Sequence, residues 1–431
     1  MASVKLGIIG LGNVGSGTLK ILTENGAQIA DKLGFPLEVA AVCARGFEGK
    51  TIPVAARQST DWRDVVNDPD VHVVAELVGG TTVAREIVET ALESGKSVVT
   101  ANKELMALCG PELWEKAIQK GVNLAMEASV AGGIPIHTVL REGISGDRIV
   151  ALYGILNGTS NYILTAIENS GAAFDDVLAE AQRLGYAEAD PTADVDGFDA
   201  RSKLAILSAL AFGQKIEAKN IFTMGIRRIT PIDFEYAHTL KHTIRLVCGA
   251  RLTPEGLILS VRPALIPQST ILASVKGAYN AVWVRGKYGQ DTFYYGCGAG
   301  PEPTGVAVVS DLMRVAREIR SGSPERVSPF AHEQLAAFRP VSVEVQRRAY
   351  YLRFRVKDQP GIIASLAKIL ADKHISLDAV LQLPGDNKES LPFVITVEPS
   401  TEKAIHDAVG AMNRLDFMVE PALALPMETS L

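Results

Sequence analysis

The chain has little of several features that mark special classes of protein. It has no basic excess, with 43 Lys and Arg against 49 Asp and Glu, which argues against a nucleic-acid partner. Its apolar run at residues 205–212 is far shorter than the roughly 18 residues that a membrane helix needs. It has only four cysteines, with no C-x-x-C pair, so we expect buried thiols in a reducing compartment rather than a disulfide framework. They are Cys43, Cys109, Cys248 and Cys297.

The composition that remains is that of a globular, multidomain chain. Hydrophobic residues make up 47%, charged residues 21% and aromatic residues 6%, which argues against disorder, collagen or a coiled coil. At about 150 residues per domain, 431 residues predict two or three domains. The first residues lack the basic start, long apolar stretch and cleavage site of a signal peptide. We therefore expect a cytoplasmic protein without a membrane partner.

Residues 1–148 alternate short apolar runs with helical patterns, which predicts an α/β domain with a parallel sheet covered on both faces. The predicted strands are Val4–Ile9, Leu37–Cys43, 72–77, Ser97–Thr100 and 122–126, and the predicted helices are 18–25, 83–94 and 112–120.

The pattern changes at about residue 149, and residues 149–303 read as an α+β domain. A strand at 149–156 leads to an Asn-Gly-Thr-Ser-Asn turn, and further elements are predicted as helices at 174–184 and Phe198–Phe212 and strands at 257–262, 281–285 and 292–295. Residues 304–320 predict an amphipathic helix that returns to the first domain. Residues 321–348 are rich in Ser, Pro and charge and predict a linker. Residues 349–431 predict the order βαββαβ, a ferredoxin-like layout with a last strand at 418–425.

A glycine motif follows the first predicted strand and precedes a helix. It reads Gly10-Leu11-Gly12-Asn13-Val14-Gly15. This G-x-G-x-x-G context predicts a Rossmann-type dinucleotide site, with the helix N-terminus facing the phosphates; a glycine-rich turn without a ligand is the alternative.

The end of the second predicted strand decides which nucleotide is preferred. An acid that binds the ribose of NAD is expected there, but the chain has Arg45 instead. Arginine can bind a 2′-phosphate in fork geometry, which a carboxylate would repel. We therefore predict NADP(H) over NAD(H), the alternative being a solvated surface arginine.

Two later strand ends also carry candidate residues. Thr100 and Lys103 follow one strand at the edge where ligands of open α/β sheets bind. Glu127 follows the next and opens a glycine-rich loop whose carboxylate and carbonyls could hold a hard cation. An ordinary glycine loop is an equally good interpretation of that second segment on chemistry alone.

The densest group of charged residues runs from 185 to 203, with five carboxylates within twelve residues ahead of an apolar helix. Asp199 and Lys203 are four positions apart and share a helix face. A structural reading stays open, with Asp196 as N-cap, Asp199 as the acid of a capping box and Lys203 as its ion-pair partner. The acids in excess of capping needs favour a substrate that carries an ammonium group or is otherwise cationic.

His238 and His242 have the spacing of a helical zinc pair, but neither a neighbouring glutamate nor a third ligand is evident. A polar helix face is the favoured interpretation.

These residues together resemble the homoserine dehydrogenase family, in its monofunctional bacterial type with a C-terminal ACT domain. The resemblance spans essentially the whole chain. It is most specific over residues 181–203 and is repeated in two further motifs, 154–162 and 298–304.

The resemblance implies a role for each matching position. Lys203 is expected to be the catalytic proton donor and acceptor, oriented by Asp199, with Lys103 at the substrate and nicotinamide. The implied substrate residues are Gly158, Thr159, Tyr186, Glu188, Asp194 and Asp199. The implied cofactor residues are Gly10, Gly12, Asn13, Val14, Gly15, Arg45, Thr100, Lys103, Gly185 and Gly300. The implied sodium site comprises Glu127 with the carbonyls of Val130, Gly132 and Ile134.

The implied reaction is the reversible reduction of L-aspartate 4-semialdehyde to L-homoserine with NAD(P)H, in threonine, methionine and isoleucine biosynthesis. The middle domain would serve catalysis and dimerisation, in a homodimer or homotetramer. The ACT domain would bind an inhibitor, most often L-threonine, and a purely dimer-forming role is the alternative. Deletion from Ala349 onward would then abolish inhibition and spare catalysis.

Two other functions stay open on the sequence. The chain could be a Rossmann-type dehydrogenase of another small amino or hydroxy acid, which would make the match at 188–203 accidental. It could also be a nicotinamide-binding sensor, which would not need Lys203 beside a cluster of carboxylates.

Overall fold

The computed structural model describes residues 3–322, 328–383 and 388–428. The chain divides into two compact units, each assembled from three separate stretches. The first unit comprises Met1–Leu156, Ala200–Ile221 and Tyr279–Arg339, and the second comprises Asn157–Asp199, Phe222–Ala278 and Pro340–Leu431.

Strands and helices alternate up to residue 156. They are β1 (Val4–Ile9), α1 (Asn13–Glu24), α2 (Gly26–Leu33), β2 (Leu37–Cys43), β3 (Arg57–Ser59), α3 (Trp62–Val66), β4 (Val73–Glu76), α4 (Val83–Glu93), β5 (Ser97–Thr100), α5 (Lys103–Lys120), β6 (Leu124–Ala125), α6 (Ile136–Thr138) and β7 (Ile149–Ile155).

Further helices and strands follow up to residue 321. They are α7 (Gly158–Ser170), α8 (Phe174–Arg183), α9 (Thr192–Val195), α10 (Phe198–Phe212), β8 (Phe222–Thr223), α11 (Pro231–Thr239), β9 (His242–Leu252), β10 (Leu257–Pro267), β11 (Tyr279–Gly286), β12 (Asp291–Cys297) and α12 (Pro301–Ser321).

The last part of the chain has the order that the sequence predicts, βαββαβ. Its elements are β13 (Arg347–Val356), α13 (Ile362–Asp372), β14 (Leu377–Leu381), β15 (Leu391–Thr401), α14 (Glu402–Met412) and β16 (Leu423–Met427).

The first unit is built on a parallel sheet with strand order β3-β2-β1-β4-β5-β6. This is the Rossmann order, so the predicted fold class is confirmed for this part of the chain. The central strands are almost entirely buried, as expected when helices cover both faces. The same unit contains the antiparallel strands β12, β11 and β7, with β11 in the middle.

Helix α12 packs against α1 beside the parallel sheet, although it follows β6 by about 180 residues. Its buried residues, including Val308 and Leu312, join one hydrophobic core with Leu6 and Ile8 of β1. The two helices approach closely at Gly17, where a Cβ would lie 2.1 Å from the carbonyl oxygen of Pro301. A side chain at this position would therefore separate the helices.

The second unit contains the hairpin β9–β10 and the ferredoxin-like end of the chain. Strand β16 runs parallel to β10, and the order continues as β16-β13-β15-β14. Helices α13 and α14 bury one side of these strands through a core that includes Phe354, Leu366 and Ile405. The ferredoxin-like prediction is confirmed.

Several boundaries differ from the predicted ones. Residues 158–170 form helix α7, where only a turn was expected, because Asn157 caps a helix at that point. The last strand begins at Leu423 rather than at residue 418. All four cysteines are free thiols, and three are buried as predicted, but Cys297 is exposed because it ends strand β12. Within the described residues, no helix combines the length and the apolar character needed to cross a membrane.

Candidate active site

The glycine motif forms the turn between β1 and α1. Gly10 has a φ of 100°, and a Cβ there would lie 2.5 Å from the carbonyl oxygen of Leu77. At Gly15 a Cβ would lie 1.9 Å from the carbonyl oxygen of Gly10, so the helix can approach the strand only without a side chain. A Cβ at Gly12 would meet no atom within 4 Å, which leaves that stretch of backbone open to a ligand. Helix α1 begins at Asn13 and continues through Val14.

A cavity of about 660 Å³ opens beside this turn. Arg45, which follows β2, and Lys50 both line it, and the described lining residues include no carboxylate. The ammonium of Lys50 donates to the carbonyl of Leu11, within the glycine motif. Lys50 was not predicted as a cofactor residue, although a second cation five residues after Arg45 is a signal for phosphate binding. The cavity is thus a cationic, partly apolar cleft.

A buried carboxylate accepts hydrogen bonds from groups at the ends of strands β4 and β5. Glu76 ends β4 and is fully buried, and its Oε1 accepts from the backbone N–H of Val78 at 2.9 Å. Its Oε2 accepts from the hydroxyl of Thr100 at 2.7 Å, and that hydroxyl accepts from the N–H of Asn102 at 3.0 Å. Thr100 was predicted as a cofactor residue but Glu76 was not, because the sequence does not show which backbone N–H groups will donate to an acid at a strand end.

Lys103 is the first residue of helix α5, and its position is set by the preceding residue. The Asn102 side chain caps the helix by accepting from Leu105 N at 3.1 Å, and its Nδ2 donates to the carbonyl of Gly80 at 2.7 Å. Lys103 is half-buried at the edge of the sheet where β4 and β5 end.

Glu127 lies in a tight, buried turn. Its Oε1 accepts from His137 N at 2.9 Å, and its Oε2 accepts from the N–H and the hydroxyl of Thr138 at 2.9 and 2.6 Å. Burial raises the pKa of Glu127 above its usual range, and these hydrogen bonds offset the rise only in part. The backbone N–H of Glu127 donates to Asp311 Oδ2 at 2.8 Å. A carboxylate is thus held in place at low exposure.

The carbonyls predicted to accompany Glu127 belong to the same turn. Val130 and Ile134 are buried, and Ala131 between them has a φ of 52°. The turn approaches α12 closely, because a Cβ at Gly132 would lie 2.5 Å from Thr304 Oγ1. The carbonyl of Ile134 accepts from Ile136 N at 2.7 Å. One carboxylate with backbone carbonyls is the oxygen-rich donor set that a hard cation prefers.

The predicted substrate residues of the second unit gather at the start of helix α7. The Asn157 amide donates to Asp194 Oδ1 at 2.6 Å and to Asp199 Oδ2 at 2.8 Å. Thr159, in the first turn, donates its hydroxyl to the carbonyl of Tyr186 at 2.6 Å. The Tyr186 ring lies against that of Tyr162, with centroids 4.6 Å apart. Gly158 is the first residue of the helix.

Not all of the acids between 185 and 203 serve the same purpose. Asp196 pairs with Arg227 at 2.6 Å, and α10 begins at Phe198, so Asp196 is not the N-cap that the structural reading required. Asp190 accepts from Thr192 N at 3.1 Å within its own turn. Glu188 is exposed, and its backbone carbonyl accepts from Gln182 Nε2 at 3.0 Å. Asp194 and Asp199 are the two acids of this described segment that accept from the Asn157 amide.

Lys203 belongs to the first unit and lies on helix α10, one turn after Asp199. Only 9% of it is exposed, and its ammonium donates to the carbonyl oxygen of Leu156 at 2.9 Å. The two predicted glycines near the nicotinamide both have positive φ. Gly185 has a φ of 79° after α8, and Gly300 has a φ of 127° and precedes α12.

The histidine pair is not a helical pair. His238 lies in α11, with its Nε2 3.2 Å from Glu168 Oε1, whereas His242 is the first residue of strand β9. The interpretation of a shared polar helix face is therefore wrong for His242, and so is the helical zinc pair. Throughout the described ranges, no group of three His, Cys, Asp or Glu side chains could hold a metal ion.

Comparison with known proteins identifies three matching family models. The model described as homoserine dehydrogenase, NAD binding domain, matches residues 10–127. The model described as homoserine dehydrogenase matches residues 135–313, and the ACT domain model matches residues 350–417.

Similar proteins cover the chain from end to end. A homoserine dehydrogenase of Pseudomonas aeruginosa is 43% identical and covers 99% of both chains. The crystal structure of a homoserine dehydrogenase from Thiobacillus denitrificans is 42% identical, with a TM-score of 0.91 and 99% of both chains covered. A hyperthermophilic archaeal homoserine dehydrogenase mutant in complex with NADPH is 26% identical, with a TM-score of 0.63; it covers 73% of this chain and 98% of its own.

Proposed function

The chain belongs to the homoserine dehydrogenase family, and from that premise we propose that it interconverts L-aspartate 4-semialdehyde and L-homoserine with NADP(H), within threonine, methionine and isoleucine biosynthesis. The observation that carries the proposal is the gathering of Thr159, Asp194 and Asp199 at the start of α7. Carboxylates suit the substrate's ammonium group, and the N–H groups in the first turn of a helix suit its carboxylate. Gly158, Tyr186 and Glu188 complete the proposed substrate pocket.

Lys203 is the proposed proton donor and acceptor. When bound, the nicotinamide supplies the hydride that reduces the C4 aldehyde. Negative charge grows on the aldehyde oxygen as that carbon is reduced, and the Lys203 ammonium would stabilise and protonate it. Asp199 would orient Lys203 from one helical turn away, and Lys103 would lie at the substrate and the nicotinamide.

Arg45 and Lys50 are proposed to hold the 2′-phosphate of NADP(H). Both cations line the cleft beside the glycine motif, and no described lining residue is a carboxylate that would repel a phosphate. The archaeal relative in complex with NADPH supports the use of a phosphorylated nucleotide. Asn13, Val14 and Thr100 would help to place the nucleotide, with Gly185 and Gly300 near the nicotinamide.

A monovalent cation, sodium in our proposal, would be held by Glu127 and the carbonyls of Val130, Gly132 and Ile134. The buried carboxylate and the turn of carbonyls fit a hard cation, which takes oxygen ligands. A cation there would stabilise the turn between β6 and α6 and offset the burial of the Glu127 charge.

The ACT domain is proposed to bind L-threonine as a feedback inhibitor. The protein is proposed to assemble as a homodimer or a homotetramer. Support comes from the ACT family match and from the loop before α13, where Gly361 has a φ of 92° at the helix start. Replacement of Asp358 in this loop by Ala should weaken inhibition by threonine without changing uninhibited turnover. Equal inhibition of the variant and the parent would count against this part of the proposal.

The test of the reaction is NADP⁺ reduction, measured at 340 nm with L-homoserine and repeated with NAD⁺ and with L-threonine. We expect faster turnover with NADP⁺. Arg45→Asp should raise the KM for NADP⁺ at least about tenfold, whereas Lys32→Asp, the same charge change on exposed α2, should not. No activity with either nucleotide in folded protein would overturn the proposal.

A further inference from the structure

Asn157 uses every polar atom of its side chain. Its Oδ1 accepts from the backbone N–H of Ser160 at 2.7 Å and so caps helix α7. Its Nδ2 donates to Asp194 Oδ1 at 2.6 Å and to Asp199 Oδ2 at 2.8 Å. The residue is 4% exposed and Asp199 is also buried, whereas Asp194 is half-buried. The two carboxylates belong to different helices, α9 and α10.

The helix cap fixes which way the amide faces. An amide can be turned over without changing its shape, but only its oxygen can accept from Ser160 N. Both N–H groups of Nδ2 must then point to the side of the carboxylates. An aspartate here could still cap the helix, but its ionised carboxylate would have no proton to donate to the other two.

Two ionised carboxylates that share one amide repel each other, and protonation of one would relieve the repulsion. Donation of a hydrogen bond to each carboxylate favours the ionised form of both. Ser160 also donates its hydroxyl to the carbonyl of Asp194 at 2.8 Å, which fixes the backbone of one partner. The cap and first turn of α7 therefore fix the place of the pair and favour its ionised form.

We infer that Asn157 is the positioning residue of the substrate site: it keeps Asp194 and Asp199 together, ionised and aligned to receive the ammonium end of the substrate, without touching the substrate itself. This inference rests on the proposed function, in which those two carboxylates bind substrate. It adds that the Asn157 amide favours their ionised forms alongside the ammonium of Lys203, which lies one turn after Asp199 on α10, and that the amide is fixed by the helix whose N-terminus lines the same pocket.

Asn157→Ser separates the two roles of the side chain. Serine is a good N-cap, so helix α7 is retained, but both N–H donors are lost. We expect the KM for L-homoserine to rise at least about tenfold near neutral pH, while the Kd for NADPH is unchanged. The acid limb of the kcat/KM profile should move to higher pH by about one unit.

Asn157→Asp is the second variant, because it also keeps an N-cap oxygen and adds a third carboxylate. Its acid limb should move further than that of Asn157→Ser. Asn157→Ala loses the cap as well, so it should lower the melting temperature below that of the serine variant, with a similar pH profile. Asn157→Ser should also raise the KM for L-homoserine by a smaller factor in an Asp199→Asn background, because the effects of substitutions at interacting residues are not additive.

The single variants Asp194→Asn and Asp199→Asn distinguish the inference from the function it rests on. If they leave the KM for L-homoserine unchanged, the proposed substrate site is wrong and the role of Asn157 fails with it. If they raise that KM but Asn157→Ser and Asn157→Asp keep the parent pH profile and KM, the function stands and Asn157 is only a helix cap. A raised KM in all of them, with the acid limb moved in the Asn157 variants, supports both.

Discussion

The side chain of Lys203 is buried and hydrogen-bonded to the backbone. It is 9% exposed, and its ammonium donates to the carbonyl of Leu156 at 2.9 Å, one residue before Asn157. A lysine fixed in this way loses little side-chain entropy when it acts on a substrate, because its rotamers are already restricted.

Replacement of Lys203 by Ala should reduce kcat for homoserine oxidation by about 10²–10⁴-fold, the usual contribution of a general acid or base. The Kd for NADPH, measured by fluorescence titration, should stay near that of the parent. Lys215→Ala, at an exposed lysine shortly after the same helix, is the matched control and should retain turnover. Near-normal turnover of the Lys203 variant would remove the residue from the mechanism.

At this scale the sequence indicated residues by type and spacing, but not the partners that give them a role. Lys103, Asp194, Asp199 and Lys203 could be predicted from their places in motifs, and their roles stay predictions. Glu76 could not, because its importance lies in the backbone N–H groups it accepts.

At the scale of elements, the strands of the parallel sheet were the most predictable. β1, β2 and β5 have the predicted bounds. β1 and β5 are almost entirely buried, and a strand that is buried on both faces reads as a continuous apolar run. Helix α10 was also predicted residue for residue. Helix α7 was missed, because the same Asn, Gly, Thr and Ser residues favour both turns and helix starts.

Strand β9 was missed because polar residues interrupt its apolar pattern. Arg245 lies within it and is fully buried, which is rare for arginine. Its partner Glu168, on α7, accepts from Arg245 Nη2 at 2.9 Å. A strand with a buried charge becomes recognisable only when the opposite charge on another element is known.

Glu168→Gln tests this tie between α7 and β9. Burial would raise the pKa of Glu168, but the Arg245 guanidinium and the hydrogen bond from Thr243 hold it below its usual range. A lowered folded pKa stabilises the fold above the unfolded value of about 4.3, and that stabilisation is lost as pH falls through the folded value. We expect urea denaturation to show a smaller loss of stability between pH 5 and 3 in the variant.

The same variant should be less stable than the parent at pH 7, because it leaves the buried Arg245 charge uncompensated, at a cost of about 3–5 kcal/mol. Glu180→Gln, which removes an exposed pair with Arg183 on α8, is the control and should change stability little. Equal pH profiles for the Glu168 variant and the parent would contradict the argument.

The contact between α1 and α12 can be tested with a pair of glycines. Gly17→Ala should destabilise the protein by about 1–3 kcal/mol, because the added Cβ meets the backbone of Pro301. Gly26→Ala, at the start of α2, meets nothing within 4 Å and should be neutral or stabilising by up to about 1 kcal/mol. Thermal or urea unfolding of both variants checks the difference, and equal effects would argue against tight packing.

At the scale of the whole molecule, the ACT domain is built into the second unit. Arg353 of β13 pairs with the fully buried Asp233 of α11, and Tyr351 donates its hydroxyl to that carboxylate at 2.8 Å. Arg262 of β10 pairs with the buried Glu402 at 2.6 Å. A truncation before Ala349 would remove the ion-pair partners of Asp233 and Arg262. We therefore expect the truncation to impair folding as well as inhibition.

Arg353→Met should cost about 3–5 kcal/mol of stability in urea unfolding, because the Asp233 carboxylate would stay buried without its cation. The double variant Asp233→Asn with Arg353→Met should regain much of that loss, since the uncompensated charge is gone. Lys403→Met, which breaks the exposed pair with Asp407, is the control. No recovery in the double variant would show that Arg353 contributes through packing instead.

Helix α12 is synthesised well after the parallel sheet against which it packs. The parallel sheet is complete once β6 (Leu124–Ala125) has been made, but α12, which supplies part of its core, begins about 180 residues later. At about 5–20 residues per second, the ribosome needs roughly 10–35 s to add them. During that interval the nascent chain presents an apolar surface that α12 will later bury, so it is a ready target for chaperones and for aggregation when synthesis stalls.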